Sequence, residues 1–309
     1  MRLHARIYDA PADADPLAPP VLCLPGLTRN ARDFERLAPH LARHRRVYAL
    51  NFRGRADSGY AKDAMTYIPL TYMQDIVALL EGEGLLAPGR SVATIGTSLG
   101  GLVSMLLAAT HPGLVAAAVL NDVGPVVEPA GLARIGAYVG QGAHYPTWVH
   151  CARAVASANA SIYPDWDLTD WLVMVKRSHR ISAQGLIVPD YDAHIAQPMR
   201  AAAGAVAGAG AGVGAMWPAY DALAQCPTLV VRGALSDILS VSTVQRMVDG
   251  ARDATLVTIA GIGHAPTLDE PAAVAAIDAL LARIPAPPSP APPSLAAPSS
   301  ATASVARDG

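Results

Sequence analysis

Ser98 lies in a short segment whose residue types and spacing suit a nucleophile. Residues 96–100 read Gly-Thr-Ser-Leu-Gly, with an apolar run (SVATI) before them and a helical pattern (LVSMLLAAT) after them. A sharp strand–turn–helix connection lifts the serine hydroxyl clear of a sheet and places it at a helix N-terminus, where negative charge is favoured. Gly96 and Gly100 carry no Cβ, so the strand and the helix can approach closely. The segment predicts Ser98 as a nucleophile; the alternative is a glycine-rich turn with a capping serine.

His264 is the candidate base, because a serine hydroxyl needs a base beside it to attack at neutral pH. It is one of nine histidines and lies in Gly-Ile-Gly-His-Ala-Pro, directly after the apolar run ATLVTIA. The nearby glycines let this loop carry the imidazole to a neighbouring strand end. Four other histidines could contact a substrate, although a structural role is the simpler interpretation of each: His144, His150, His179 and His194.

The imidazole in turn needs a carboxylate that fixes its tautomer and stabilises the imidazolium. Asp237 follows the apolar run CPTLVVRG and is the preferred candidate. Asp122 ends the preceding apolar run, in Leu-Asn-Asp-Val-Gly-Pro, and could reach the same space. We interpret Asp122 as a residue that fixes the following turn. The sequence therefore predicts Asp237 as the acid and keeps Asp122 as the alternative.

An oxyanion hole is the last requirement of acyl transfer, since N–H donors must face the charge that develops on the carbonyl oxygen. The N–H of Leu99, directly after the nucleophile, is one candidate donor. The N–H of Leu27 is the second, in the loop Pro-Gly-Leu-Thr-Arg-Asn that follows the run VLCL. Gly26 makes room there for close backbone approach. Thr28 and Asn30 either brace this loop or serve as ordinary turn residues.

The elements that would position these residues alternate between buried strands and helices. Near-continuous apolar runs suit strands that are covered on both faces. Helical patterns lie between the runs, as in TYMQDIVALLEGEG and VSTVQRMVDGA. The alternation predicts an α/β fold with a mostly parallel central sheet and helices on both faces. Six strands are expected, in PPVLCLPG, RRVYALNFRG, SVATIGTS, LVAAAVLNDVGP, CPTLVVRGALSD and ATLVTIAGIGH.

The alternation stops between about Gly124 and Trp217, where helical segments and aromatic residues replace buried strands. We expect a helical cap insertion over residues 125–216, above the carboxyl ends of the strands, where ligands bind in open α/β sheets. Residues 1–124 and 217–284 would form the core. The proline-dense segment 285–309 is predicted to be disordered.

Composition excludes several function classes. The net charge of −2 in 309 residues argues against a nucleic-acid partner. Cys23, Cys151 and Cys226 are widely separated, so neither a disulfide framework nor a zinc site is expected, and no cofactor is required. The N-terminus lacks an apolar signal region, which favours the cytoplasm. Residues 201–220 are uncharged but mostly Ala and Gly, and are interpreted as a low-complexity segment and not a membrane span.

With these residues in place, the chain resembles the α/β-hydrolase family over residues 3–284. The resemblance is carried by GTSLGG, by the RGRADSG loop, by the pair Ser236-Asp237 and by GIGHAPTLDEP. It implies the chain order Ser98, Asp237, His264 for the triad. Two departures are visible: Pro-Gly stands where many members have His-Gly before the oxyanion loop, and Asn51 stands where the family often has Asp.

The resemblance implies hydrolysis of a small carboxylic ester or a lactone through an acyl-enzyme. Cleavage of the carbon–carbon bond of ring-cleavage diketones and acyl transfer to an alcohol or thiol are alternatives, and a non-catalytic binding module of this fold is a further one. A small-molecule substrate is the expected partner, with homodimerisation left open. An arginine that faces the pocket would favour a carboxylate-bearing substrate; the cap offers Arg153, Arg177, Arg180 and Arg200.

Overall fold

The computed structural model describes residues 1–15, 17–201 and 216–284, and a seven-stranded sheet lies at its centre. The strands of this sheet are β1 (His4–Tyr8), β2 (Val21–Leu24), β3 (Val47–Asn51), β4 (Val92–Thr97), β5 (Val115–Asn121), β8 (Thr228–Gly233) and β9 (Ala254–Ile259). Their order is β1-β3-β2-β4-β5-β8-β9. A separate hairpin pairs β6 (His179–Ile181) with β7 (Ile187–Pro189).

The six predicted strands all form and run parallel to one another, which confirms the predicted fold class. Strands β2, β3 and β8 are buried along their whole length, as expected for strands covered on both faces. The seventh strand, β1, pairs antiparallel with β3 at one edge. Its sequence HARIY mixes polar and apolar residues over five positions, and sequence analysis did not predict it as a strand.

Helices cover both faces of the sheet. The α-helices of the described ranges, those of the predicted cap included, are α1 (Leu37–Leu41), α2 (Pro69–Gly82), α3 (Leu99–Thr110), α4 (Pro129–Tyr138), α5 (Trp148–Asn159), α6 (Leu168–Ser178), α7 (Trp217–Leu223), α8 (Val241–Gly250) and α9 (Pro271–Ala282). Side chains of β2 alternate between two cores, as strand geometry requires. Leu22 and Leu24 pack with α2, α3 and α7, whereas Val21 and Cys23 pack with α1 and α9.

The segment predicted as a cap, residues 125–216, is described over residues 125–201 and at residue 216; we call it the cap, and its described part holds α4, α5, α6 and the β6–β7 hairpin. It has an apolar cluster of its own, which includes Cys151, Trp171 and Met174. The hairpin was not predicted, because three-residue strands are too short to give a readable pattern. Polar contacts join the cap to the core: the Asn30 amide donates to a cap carbonyl at 2.9 Å, and Arg32 pairs with Asp190 at 2.6 Å.

Two sequence-based predictions fall on residues that the structure does not describe. These are the disorder of segment 285–309 and most of the low-complexity segment 201–220. Within the described ranges, no helix combines the length and the apolar character needed to cross a bilayer.

Candidate active site

Ser98 occupies the turn between β4 and α3 in a backbone conformation that non-glycine residues rarely adopt, with φ 51° and ψ −113°. The strain is held by the surrounding backbone: the Ser98 N–H donates to the Asn121 carbonyl at 3.0 Å. A Cβ on Gly96 would lie 2.5 Å from the Gly100 carbonyl carbon, and one on Gly100 would overlap the Leu24 carbonyl. The two glycines therefore allow the close contact of strand and helix that exposes the Ser98 side chain.

His264 bridges Ser98 and a buried carboxylate. Its Nε2 lies 2.9 Å from Ser98 Oγ, and its Nδ1 lies 2.8 Å from Asp122 Oδ2. The imidazole is nearly buried, with 9% of its side chain exposed. With a proton on Nδ1, Nε2 is free to accept the serine proton. The predicted nucleophile and base are thus in hydrogen-bonding contact.

The loop that carries His264 is held from the core and from the cap. The Asn121 amide donates to the Pro266 carbonyl at 2.8 Å. From the cap, the Tyr163 hydroxyl donates to the Ala265 carbonyl at 2.7 Å, and the Ile162 carbonyl accepts from the Gly263 N–H at 2.7 Å. The position of the imidazole consequently depends on both parts of the chain.

Asp122 is completely buried and follows β5 with a positive φ of 55°. Its Oδ1 accepts from the Gly233 N–H at 2.9 Å, and its Oδ2 accepts from the Ser236 hydroxyl at 2.6 Å as well as from His264. Three donors thus surround this buried carboxylate.

The carboxylate that contacts the imidazole is that of Asp122, the predicted alternative, and not that of Asp237, the preferred candidate. Asp237 binds Arg134 through two hydrogen bonds of 2.6 and 2.8 Å, and it makes no hydrogen bond to His264. Because Arg134 donates to it, the pKa of Asp237 lies below its usual value. β5 and β8 are adjacent parallel strands, so Asp122 and Asp237 leave the sheet at neighbouring strand ends. Sequence position alone does not distinguish them.

The two predicted oxyanion donors lie close to the nucleophile. Leu99 is the first residue of α3, so its N–H is outside the helical ladder. Neither this N–H nor that of Leu27 has a protein acceptor within the described part of the chain. The Leu27 carbonyl accepts from Nε of Arg55, a fully buried residue, at 2.9 Å, which fixes the orientation of this loop.

A cavity of about 300 Å³ opens onto Ser98 and His264. Its wall is largely apolar and aromatic, and includes Tyr163 and Trp171 from the cap. The charged residues that line it are Arg29, Asp33, Arg134 and Arg177. His179 also lines it, and burial, with Arg29 nearby, lowers the pKa of His179 to about 4, so this imidazole is neutral at pH 7.

Comparison with known proteins identifies the family of this chain. The family model described as alpha/beta hydrolase fold matches residues 19–271. The chain belongs to the α/β-hydrolase family. The predicted resemblance is therefore confirmed.

Relatives of this α/β hydrolase include enzymes and solved structures. It is 34% identical over 268 residues to the 3-hydroxybutyrate-oligomer hydrolase of Cupriavidus necator, covering 84% of this chain and 88% of the relative. A crystal structure of an alpha/beta hydrolase from Novosphingobium aromaticivorans is 52% identical, with a TM-score of 0.82 over 92% of this chain and 94% of that one. A putative hydrolase from Rickettsia typhi is 26% identical, with a TM-score of 0.76 over 91% of this chain and 90% of that one.

Sequence reasoning missed several site residues of this hydrolase. Ser236 was noted only as the neighbour of Asp237, yet it is the residue that donates to Asp122. Of the four cap arginines considered, Arg177 lines the cavity, but it is bound to Glu35 and Asp269, each at 2.9 Å. Arg29 and Arg134 line the cavity and were not singled out. Arg29 could have been found, since it lies two residues after the predicted oxyanion donor.

Proposed function

We propose that this α/β hydrolase is a serine esterase that cleaves small carboxylic esters or lactones through an acyl-enzyme. Ser98 would be the nucleophile, His264 the base and Asp122 the acid. The observation that carries the proposal is the continuous hydrogen-bond chain from Ser98 Oγ through the imidazole to the buried Asp122 carboxylate. This is the arrangement that serine nucleophiles use on unrelated folds.

In the proposed reaction, His264 Nε2 takes the Ser98 proton while Oγ attacks the ester carbonyl. The negative charge on the carbonyl oxygen is stabilised by the N–H groups of Leu27 and Leu99. The C–O bond to the alcohol then breaks, and the alcohol leaves with the proton from His264. A water molecule, deprotonated by His264, attacks the acyl-enzyme, and the acid and free Ser98 are released.

The Cupriavidus necator relative, named as a hydrolase of 3-hydroxybutyrate oligomers, supports short hydroxy-acid esters as the substrate class. The cavity of about 300 Å³ is at the lower end of the range for small-molecule sites and suits a ligand of this size. We therefore propose short linear esters of hydroxy acids as the first substrates to assay.

Active-site labelling with a fluorophosphonate, followed by hydrolysis assays, tests the nucleophile. The wild-type protein should be labelled and should hydrolyse p-nitrophenyl butyrate, whereas Ser98→Ala should do neither. Ser104→Ala is the matched control, because Ser104 is buried in α3 and donates only to the Gly100 carbonyl. If Ser98→Ala kept its labelling and its activity, the proposal would be wrong.

A substrate panel separates the possible reactions. Hydroxy-acid esters, lactones and ring-cleavage diketones would each be assayed with and without an acceptor alcohol. We expect the free acid as the product from esters and lactones, with no dependence on the acceptor. Turnover of the diketones alone, or products formed only with the acceptor, would contradict the esterase assignment.

A further inference from the structure

Arg29 is a cation beside the nucleophile that the proposed reaction does not use. It lines the cavity with Ser98 and His264. A Cβ placed on Gly26 would lie 3.4 Å from Arg29 Cγ and 3.9 Å from Ser98 Cβ, so both side chains border the space beside Gly26. A substrate group held by Arg29 would therefore lie close to the bond that Ser98 attacks.

Only some of the N–H groups of the Arg29 guanidinium are hydrogen-bonded to the protein within the described ranges. Nε and Nη2 donate to the same oxygen of Asp33, at 3.0 and 2.8 Å. Its Nη1 makes no hydrogen bond to any residue within the described ranges. A guanidinium carries five N–H donors, so an anchored Arg29 still has donors to offer a ligand.

The charges around Arg29 do not exclude an anion. Burial by itself lowers the pKa of Arg29, but the charge and hydrogen bond of Asp33 raise it above its usual value, so the guanidinium stays charged. Asp33 is the only carboxylate among the described residues that line the cavity. The cavity wall also carries the Arg134 guanidinium and a neutral His179. Arg177 differs from Arg29 in that two carboxylates lie 2.9 Å from its guanidinium, Glu35 at Nε and Asp269 at Nη2.

We propose that Arg29 binds a carboxylate of the substrate, so that the preferred esters carry a free carboxylate a few bonds from the scissile group. A hydrogen bond between a guanidinium and a carboxylate, which are both charged, is stronger than one between neutral groups. A linear hydroxy-acid ester carries such a carboxylate at one end. This inference rests on the proposed esterase function and specifies its substrate class.

The test compares the linear dimer of 3-hydroxybutyrate with its terminal carboxamide, which is neutral and similar in shape. Wild type should cleave the free acid with kcat/KM at least about tenfold higher. Arg29→Met should lower kcat/KM for the acid about 30-fold and change that for the carboxamide by less than about threefold. Arg153→Met is the matched control, because Arg153 is exposed on α5 and does not line the cavity, so both substrates should be unaffected.

Two results would overturn the inference: equal kcat/KM values for acid and carboxamide in wild type, or an equal loss for both in Arg29→Met. Retained hydrolysis of p-nitrophenyl butyrate by Arg29→Met would show that the variant folds. Calorimetric binding of the dimer to Ser98→Ala makes the test independent of catalysis. The free acid should bind to Ser98→Ala, and the double variant Ser98→Ala/Arg29→Met should bind it at least about tenfold more weakly. Equal binding by the two variants would contradict the role of Arg29, whether or not the esterase proposal holds.

Discussion

The hydroxyl of Ser236 donates a 2.6 Å hydrogen bond to Oδ2 of Asp122, the same oxygen that lies 2.8 Å from His264 Nδ1. Ser236 Oγ in turn accepts from the N–H groups of Ile238 and Leu239, at 3.2 and 3.1 Å. The loop after β8 thus supports the carboxylate that follows β5. Ser236, which lies outside the chain from Ser98 through His264 to Asp122, therefore helps to hold the Asp122 carboxylate.

Removal of the hydrogen bond from Ser236 to Asp122 should lower activity without weakening substrate binding. Ser236→Ala removes one of three donors to Asp122, so the carboxylate should hold the imidazole less firmly. We expect kcat to fall about tenfold with KM nearly unchanged, an effect of roughly 1.4 kcal/mol on the barrier. Steady-state kinetics measures the split. Ser240→Ala, which removes the cap of α8, is the control and should leave kcat within about twofold.

The choice between the two aspartates is tested by matched amide substitutions. Asp122→Asn should lower kcat about 10³- to 10⁴-fold, because the amide cannot stabilise the imidazolium and favours the wrong tautomer. Asp237→Asn should keep more than about a third of wild-type activity, since Asp237 is bound to Arg134. Ester hydrolysis by the two purified variants is the measurement. The reverse order of effects would restore Asp237 as the acid.

The Arg134–Asp237 pair predicts a pH-dependent contribution to stability. The folded-state pKa of Asp237 is lowered, chiefly by the Arg134 hydrogen bond. Its contribution is therefore present above the unfolded-state pKa, about 4, and is lost as pH falls through the lower folded-state pKa. Because both side chains are partly exposed, we expect about 0.5–1 kcal/mol.

Denaturant unfolding of wild type and Asp237→Asn at several pH values measures this term. The variant should be less stable at pH 7, and the difference should shrink as the pH falls below about 4. Asp249→Asn, on an exposed position of α8, is a control for the loss of a surface carboxylate. A difference independent of pH would contradict the assigned cause.

The sequence was sufficient for the six parallel strands of the sheet and for the contact between Ser98 and His264, because buried parallel strands and the glycine turn leave strong local patterns. It was insufficient to decide which of two carboxylates, at the ends of neighbouring strands, contacts the imidazole. Asp122 and Asp237 follow adjacent strands, and only the folded loops show which carboxylate faces the imidazole. The charged cavity wall depends on the cap's placement over the core, which no local pattern encodes.

Gly100 lies where the first turn of α3 contacts the end of β2. A Cβ on Gly100 would overlap the Leu24 carbonyl, so the backbone of α3 or of β2 would have to shift close to Ser98. Gly100→Ala should therefore destabilise the protein by roughly 3 kcal/mol or more, and abolish labelling of Ser98 in whatever folds.

Gly136 is the matched control for this change, since it lies within α4 and a Cβ there meets open space. Gly136→Ala should stabilise the protein by about 0.5–1 kcal/mol, because alanine loses less backbone entropy than glycine when a helix forms. Thermal unfolding and fluorophosphonate labelling of both variants check the pair. Equal stability of the two variants would show that the close approach of α3 to β2 is not what requires glycine at position 100.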